Sequence, residues 1–235
     1  MRSSLASNPF CTRFVRPSSV DYLFAGLDSA SELESLTEQL FACRHGLIVG
    51  PHGSGKSTLI HSLMSRFGDE LTIVHLQLSA STSNRWSDRL RHKHRIGLEV
   101  LRKVSRLERA SVGSDTKRCL VIIDGAEQLS CFARHCVLRK SRRNQFLVLG
   151  TSHRPLAGLK VLHETQVCET LIRSLAESLL ADSPTMVQDL VDQQLSVKDL
   201  TKLTNVRELW FELYDLVQAK TAPSAHPSVD QHSIL

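Results

Sequence analysis

At 235 residues, 41% hydrophobic and 23% charged, the chain has the makeup of a folded protein with an ordinary core, which excludes wholesale disorder, collagen-like repeats and low-complexity sequence. Its longest unbroken apolar run, Cys119 to Ile123, is far too short for a membrane-spanning helix. The net charge of +5 is moderate, but nine Lys and Arg fall between Arg85 and Arg109, and a second group runs Arg134, Arg139, Lys140, Arg142, Arg143, so an anionic partner is admissible.

Residues 1–20 carry Arg2, Arg13 and Arg16 with no acid before Asp21, and no long period; they read as a flexible N-terminal arm. Their composition is faintly that of a transit peptide, without its amphipathic helix or a secretory apolar region. Ala30 to Ala42 has Leu33, Leu36, Leu40 and Phe41 on one helical face. Gly46 to Val49 is a short buried strand, Lys56 to Phe67 an amphipathic helix, and Leu71 to Leu78 a strand. A long basic helix at about 84–110, a polar loop over 111–117, a strand Cys119 to Ile123, a helix near Ala126 to Lys140 and a strand Phe146 to Leu149 continue the alternation. A last strand is expected near Thr165 to Cys168, then helices over 169–181, 184–195 and 198–219.

Short apolar strands alternating with helices predict an α/β fold, a parallel sheet covered by helices on both faces. The expected organisation is a flexible arm 1–20, a sheet core 21–168, a helical lid 169–220 and a disordered tail 221–235. Six cysteines, at 11, 43, 119, 131, 136 and 168, form no C-x-x-C pair and point to a reduced, cytoplasmic setting. Cys131, His135 and Cys136 could form the corner of a metal site, but no second ligand pair stands at zinc-like spacing, and they read as thiols.

Gly50-Pro51-His52-Gly53-Ser54-Gly55-Lys56-Ser57 fits G-x-x-x-x-G-K-[ST] between a predicted strand and a predicted helix, the context the motif requires. Without a Cβ, Gly50, Gly53 and Gly55 let the backbone turn its N–H groups around phosphates, and the helix N-terminus adds positive potential. Lys56 supplies a charge to the β and γ phosphates, the Ser57 hydroxyl a ligand to Mg²⁺, and Thr58 a bond to the α phosphate.

On these residues the chain resembles the P-loop NTPase superfamily, over about 44–155 and more weakly over 25–220. Cys119-Leu-Val-Ile-Ile-Asp124 looks like its second motif, whose carboxylate orients water on the magnesium. The extra strand Leu71 to Leu78 between the two motifs is similar to the additional-strand branch, which contains AAA+ and related signalling ATPases. Phe146 to Arg154 looks like that branch's sensor strand, with Thr151, Ser152 and Arg154 near the γ phosphate. Asn205-Val-Arg-Glu-Leu209 is similar to its second sensor, with Arg207 reaching from the lid. A polar strand end and a solvated face charge are the plainer readings of those two stretches. In the AAA+ pattern a glutamate follows the Asp; here Gly125 follows, and Glu127 is the nearest carboxylate. Glu127 is the expected general base or water orienter, with an acid favoured by the helix dipole as the alternative.

The resemblance implies a magnesium-dependent ATP-binding protein, an AAA-like ATPase coupling nucleotide state to a protein partner or to self-association. Catalysis would be in-line water attack, with an arginine in trans as a possible contributor and Arg134 to Arg143 as a candidate source. No N-K-x-D element selects guanine and no L-S-G-G-Q stretch marks a transporter ATPase, so adenine is the default base, with Tyr22 to Phe24 a plausible neighbour. One alternative is a small-molecule kinase with 84–110 as an anion-binding lid. Another is a nucleotide-gated module that uses 85–109 on nucleic acid or another acidic surface with negligible turnover. Trp86 is the only Phe, Tyr or Trp in that stretch, too few for base stacking.

Overall fold

The computed structural model describes residues 8–11, 15–17, 19–24, 27–67, 71–111, 118–203 and 205–221. Helix α1 (Ser29–Cys43) is capped by Asp28, whose carboxylate accepts from the N–H groups of Ala30 and Ser31. Strand β1 (His45–Val49) follows and is buried throughout. Then come α2 (Lys56–Arg66), β2 (Leu71–Gln77), α3 (Trp86–Ser111), β3 (Arg118–Asp124), α4 (Cys131–Asn144) and β4 (Leu147–Ser152). Strand β5 (Lys160–Glu164) leads to three helices, α5 (Glu169–Leu180), α6 (Thr185–Val197) and α7 (Val206–Thr221).

The five strands form one parallel sheet in the order β2-β3-β4-β1-β5. In the sheet, β4 separates β1 from β3, while β2, the extra strand between the two motifs in sequence, lies on the outer edge beside β3. Side-chain alternation divides the core. Ile48, Leu120, Ile122, Leu147 and Leu149 face α1 and α2; Val121, Ile123 and Val148 face α3 and α4. A third cluster joins α5, α6 and α7, and Phe10 is buried in it, its ring stacked on Trp210 at 5.5 Å. The fold is thus α/β, a parallel sheet between helical layers followed by a helical group.

Three element boundaries depart from the sequence reading. The last strand is Lys160–Glu164, and Thr165 to Cys168 is irregular. As an edge strand β5 has no fully buried position, and it carries no long apolar run. Thr165 makes the last ladder-like bond, N–H to the Val49 carbonyl at 2.7 Å, before the chain turns into α5. The helix expected from Ala126 is a 3-10 turn, Ala126–Gln128, and α4 starts only after Ser130, whose hydroxyl accepts from the Ala133 N–H. The long helix expected over 198–219 is interrupted: Asp199 caps a separate turn, Leu200–Lys202, and Asn205 Oδ1 accepts from the Arg207 N–H as α7 begins. The loop 112–117 and the tail from 222 onward lie outside the described residues.

Candidate functional site

The parallel strands end together on one edge of the sheet, where an open α/β sheet places its ligands. Directly after β1, the Gly50–Ser57 turn adopts positive φ at Gly53 (69°) and Gly55 (91°) and enters α2 at Lys56. The loop is pinned from below: the Gly50 N–H donates to the Ser152 carbonyl at 3.1 Å, and the Ser54 and Thr165 hydroxyls lie 2.6 Å apart. A Cβ at Gly53 would stand 1.8 Å from Asn205 Oδ1, so the loop packs directly against the start of α7.

The alternation that sorts the core also aims the polar residues. Asp124, two positions after Ile122, emerges on the α2 side of the sheet. There Ser57 Oγ donates to Asp124 Oδ2 at 2.8 Å, and Thr151 Oγ1, from the end of β4, donates to Asp124 Oδ1 at 2.5 Å. The Gly125 N–H in turn donates to Thr151 Oγ1 at 2.8 Å. Gly125 has φ 85°, and a Cβ there would meet the Leu78 carbonyl oxygen at 2.7 Å; the turn that delivers Glu127 therefore requires glycine.

Just past the end of β4, His153 reaches Glu127. Its Nδ1 donates to the Gly50 carbonyl at 3.1 Å, and its Nε2 lies 3.3 Å from Glu127 Oε1. Facing a carboxylate acceptor, Nε2 donates when the ring carries its second proton. Glu127 Oε2 is buried with no hydrogen-bond partner among the described residues. His52 stacks on His153 with ring centroids 3.8 Å apart. Burial lowers the His52 pKa, and the neighbouring His153 and Lys56 lower it further. Lys56 Nζ donates to the Gly50 carbonyl at 2.8 Å and to that of Pro51. Burial also lowers the Lys56 pKa, with Glu127 and Asp124 opposing that shift and Arg207 adding to it.

These groups line one cavity of about 490 Å³, within the range of small-ligand sites. Of the sequence-predicted residues, His52, Gly53, Ser54, Gly55, Lys56, Ser57, Thr58, Asp124, Glu127 and Arg207 line it. Gly50 lies buried beneath, and Pro51 contributes its carbonyl to Lys56 and to Ser54 Oγ. Arg154 is exposed and outside the cavity. β4 ends at Ser152, and in the bend that follows His153 turns to Gly50 and Glu127 while the Arg154 N–H donates to Ser152 Oγ. Neither His153 nor Thr165 carries a local sequence signal, since each meets its partners through the tertiary fold. The cavity also has apolar lining, with Leu171, Leu175, Val206 and Trp210 from the C-terminal helices and Tyr22 from the N-terminal segment, whose ring lies against Gly55. Tyr22, its hydroxyl 3.1 Å from His163 Nε2, has its pKa pushed up to about 12 by burial, with Cys168 contributing.

None of residues 84–110 lines the cavity, so the anion-binding lid of the kinase reading is not formed by α3. Among the described residues no helix is long and apolar enough to cross a membrane. No family model and no curated protein matches the chain. Among solved structures, the chain is similar to the structure of C. elegans PCH-2, at 17% identity over 91% of this chain and 74% of that one, with a TM-score of 0.47. It is similar also to a point variant of Thermotoga maritima RuvB, at 14% identity over 80% and 70% of the two chains, with a TM-score of 0.40.

Proposed function

We propose that this chain binds ATP with Mg²⁺ and hydrolyses it, as an AAA-like ATPase whose nucleotide state is coupled to a protein partner or to self-association. The observation that carries the reading is one cavity lined both by the glycine-rich loop with Lys56 and by apolar side chains of α5, α7 and the N-terminal segment. The loop N–H groups and Lys56 would cradle the phosphates, Thr58 would contact the α phosphate, and Tyr22 with α5 and α7 would enclose the base. Ser57 and Asp124 would hold the metal: a hydroxyl and a carboxylate that already meet at 2.8 Å suit a small cation that completes its shell with phosphate oxygens and water. Bound there, Mg²⁺ would neutralise phosphate charge. Glu127 would accept the proton of a water attacking in line at the γ phosphorus, and its unpartnered Oε2 is a vacant acceptor for that water. ADP leaves as the bond to the bridging oxygen breaks. Arg207, on the wall of the same cavity, would bring positive charge to the phosphates from the helical group, which we read as a lid over 169–220.

Calorimetry with ATP and Mg²⁺ tests the reading. Saturable heat is expected from the unaltered chain, with at least a hundredfold loss of affinity in Lys56→Ala. Absence of both heat and thermal protection in the unaltered protein would overturn it, as would near-normal affinity in the variant.

A further inference from the structure

Helix α3 is the longest among the described residues and contributes nothing to the cavity. It lies on α4, and the crossing is close: a Cβ at Gly97 would stand 2.9 Å from the Ala133 Cβ. Farther along, Lys140 of α4 pairs with Glu108 of α3 at 2.9 Å. The two basic stretches of the sequence, far apart along the chain, therefore share one side of the molecule. Together α3 and α4 carry thirteen Lys and Arg against three carboxylates, a net of +10. The whole chain is only +5, so everything else sums to −5.

The three acids are already engaged, Asp88 by Arg91, Glu99 by Lys103 and Glu108 by Lys140. The other ten cations have no carboxylate within ion-pair distance among the described residues. A face serving solubility alone would intersperse the two signs. Ten of the thirteen are arginines, whose planar forks fit phosphate oxygens two at a time. At about 100° per residue, Arg91, Arg95, Arg102, Arg106 and Arg109 fall within roughly 60° of one another, on the side away from buried Ile96, Val100 and Val104. All five are exposed. The row is about 27 Å long at ~1.5 Å per residue. One duplex strand presents about eight phosphates over that length, at ~3.4 Å each. Arg139, Arg142 and Arg143 of α4, the helix packed against α3, are exposed as well.

We propose that α3 and α4 together form a binding face for the phosphate backbone of duplex nucleic acid, engaged without base reading. A single strand would call for a series of aromatic platforms, and the face exposes only Trp86 and Phe132, both near the helix starts. A membrane surface would call for a broad free apolar face, whereas the main apolar face of α3 is spent on the core and the exposed Leu90 and Leu98 share one shallow groove with Arg91, His94, Arg95 and Arg102. The proposal is independent of the nucleotide reading and can stand or fall without it.

Fluorescence anisotropy of the full chain with a labelled 30-base-pair duplex of arbitrary sequence, titrated between 50 and 200 mM NaCl, tests it. About five engaged phosphates give a slope of log K against log salt near −4.5, a loss of about 500-fold across that range. The combined variant Arg95→Ala, Arg102→Ala, Arg106→Ala should reduce the magnitude of the slope by about 2.7 with an unchanged melting temperature. Replacing the same three by Lys should keep the slope and weaken binding severalfold, a readout that survives if the alanine variant folds poorly. Any of four results would overturn the proposal: no binding at 50 mM salt, an unaltered slope in a folded alanine variant, tighter binding to a single strand of equal length, or binding to phosphatidylserine vesicles or polyglutamate at least as tight as to the duplex.

Discussion

Asp124 is the residue on which the site converges. It takes hydrogen bonds from Ser57 on one oxygen and Thr151 on the other, so its orientation is set by two different elements before any ligand arrives. Glu127 is held differently, by a single contact from His153, with its second oxygen unpartnered among the described residues. The two carboxylates therefore suit different tasks, the first a rigid position, the second an acceptor that can shift. Glu127→Gln should leave ATP affinity within about threefold and lower turnover by roughly 10²–10⁴, the usual share of a general base; single-turnover phosphate release measures both, and unchanged turnover removes Glu127 from the reaction. His153→Ala should lower kcat with little change in KM, because the ring positions Glu127 and meets the loop at the Gly50 carbonyl and the His52 ring. A rise in KM with unchanged kcat would instead make His153 part of the phosphate cradle.

Among the elements, the N-terminal segment and β5 hold the apolar lining of the site in place. Phe10 is 1% exposed and stacks on Trp210, which itself lines the cavity. Phe10→Ala should cost about 3 kcal/mol by loss of buried ring and creation of a void, read as a lower denaturation midpoint at constant slope. Three histidines in strands, His45, His75 and His163, have pKa values lowered chiefly by burial, His45 further by Arg142 and Arg44. Below about pH 6.5 the unfolded chain binds more protons at these positions than the folded one, so stability is full above that value and declines as pH falls. Melting temperature should drop between pH 7.5 and pH 5, and His45→Gln should make the drop shallower; an equal drop in the variant would exclude His45 as a contributor.

For the molecule as a whole, charge and cavity occupy separate regions: the cavity sits where the strands end, and the net +10 lies on helices packed against one face of the sheet. If subunits complete one another's sites, specific ATPase activity should rise steeply with protein concentration, alongside a growing sedimentation coefficient. Constant activity over a hundredfold range would mean that each chain works alone.

The glycine-rich turn between β1 and α2, the strand ending at Asp124 and the sheet-and-helix alternation were legible in the sequence because each is local: a glycine spacing, an apolar run, a period of two or 3.6 residues. Locality also marks the limit. The edge strand Lys160–Glu164 has one hydrogen-bonded neighbour and no long apolar run, and its pairing with β1 is a tertiary fact. Only the tertiary structure placed β4 between β1 and β3, set His153 rather than Arg154 beside Glu127, laid Asn205 against Gly53 and joined the two basic stretches on one side. Those pairings join residues distant along the chain, and packing of whole elements, which no local period encodes, decides which of them meet.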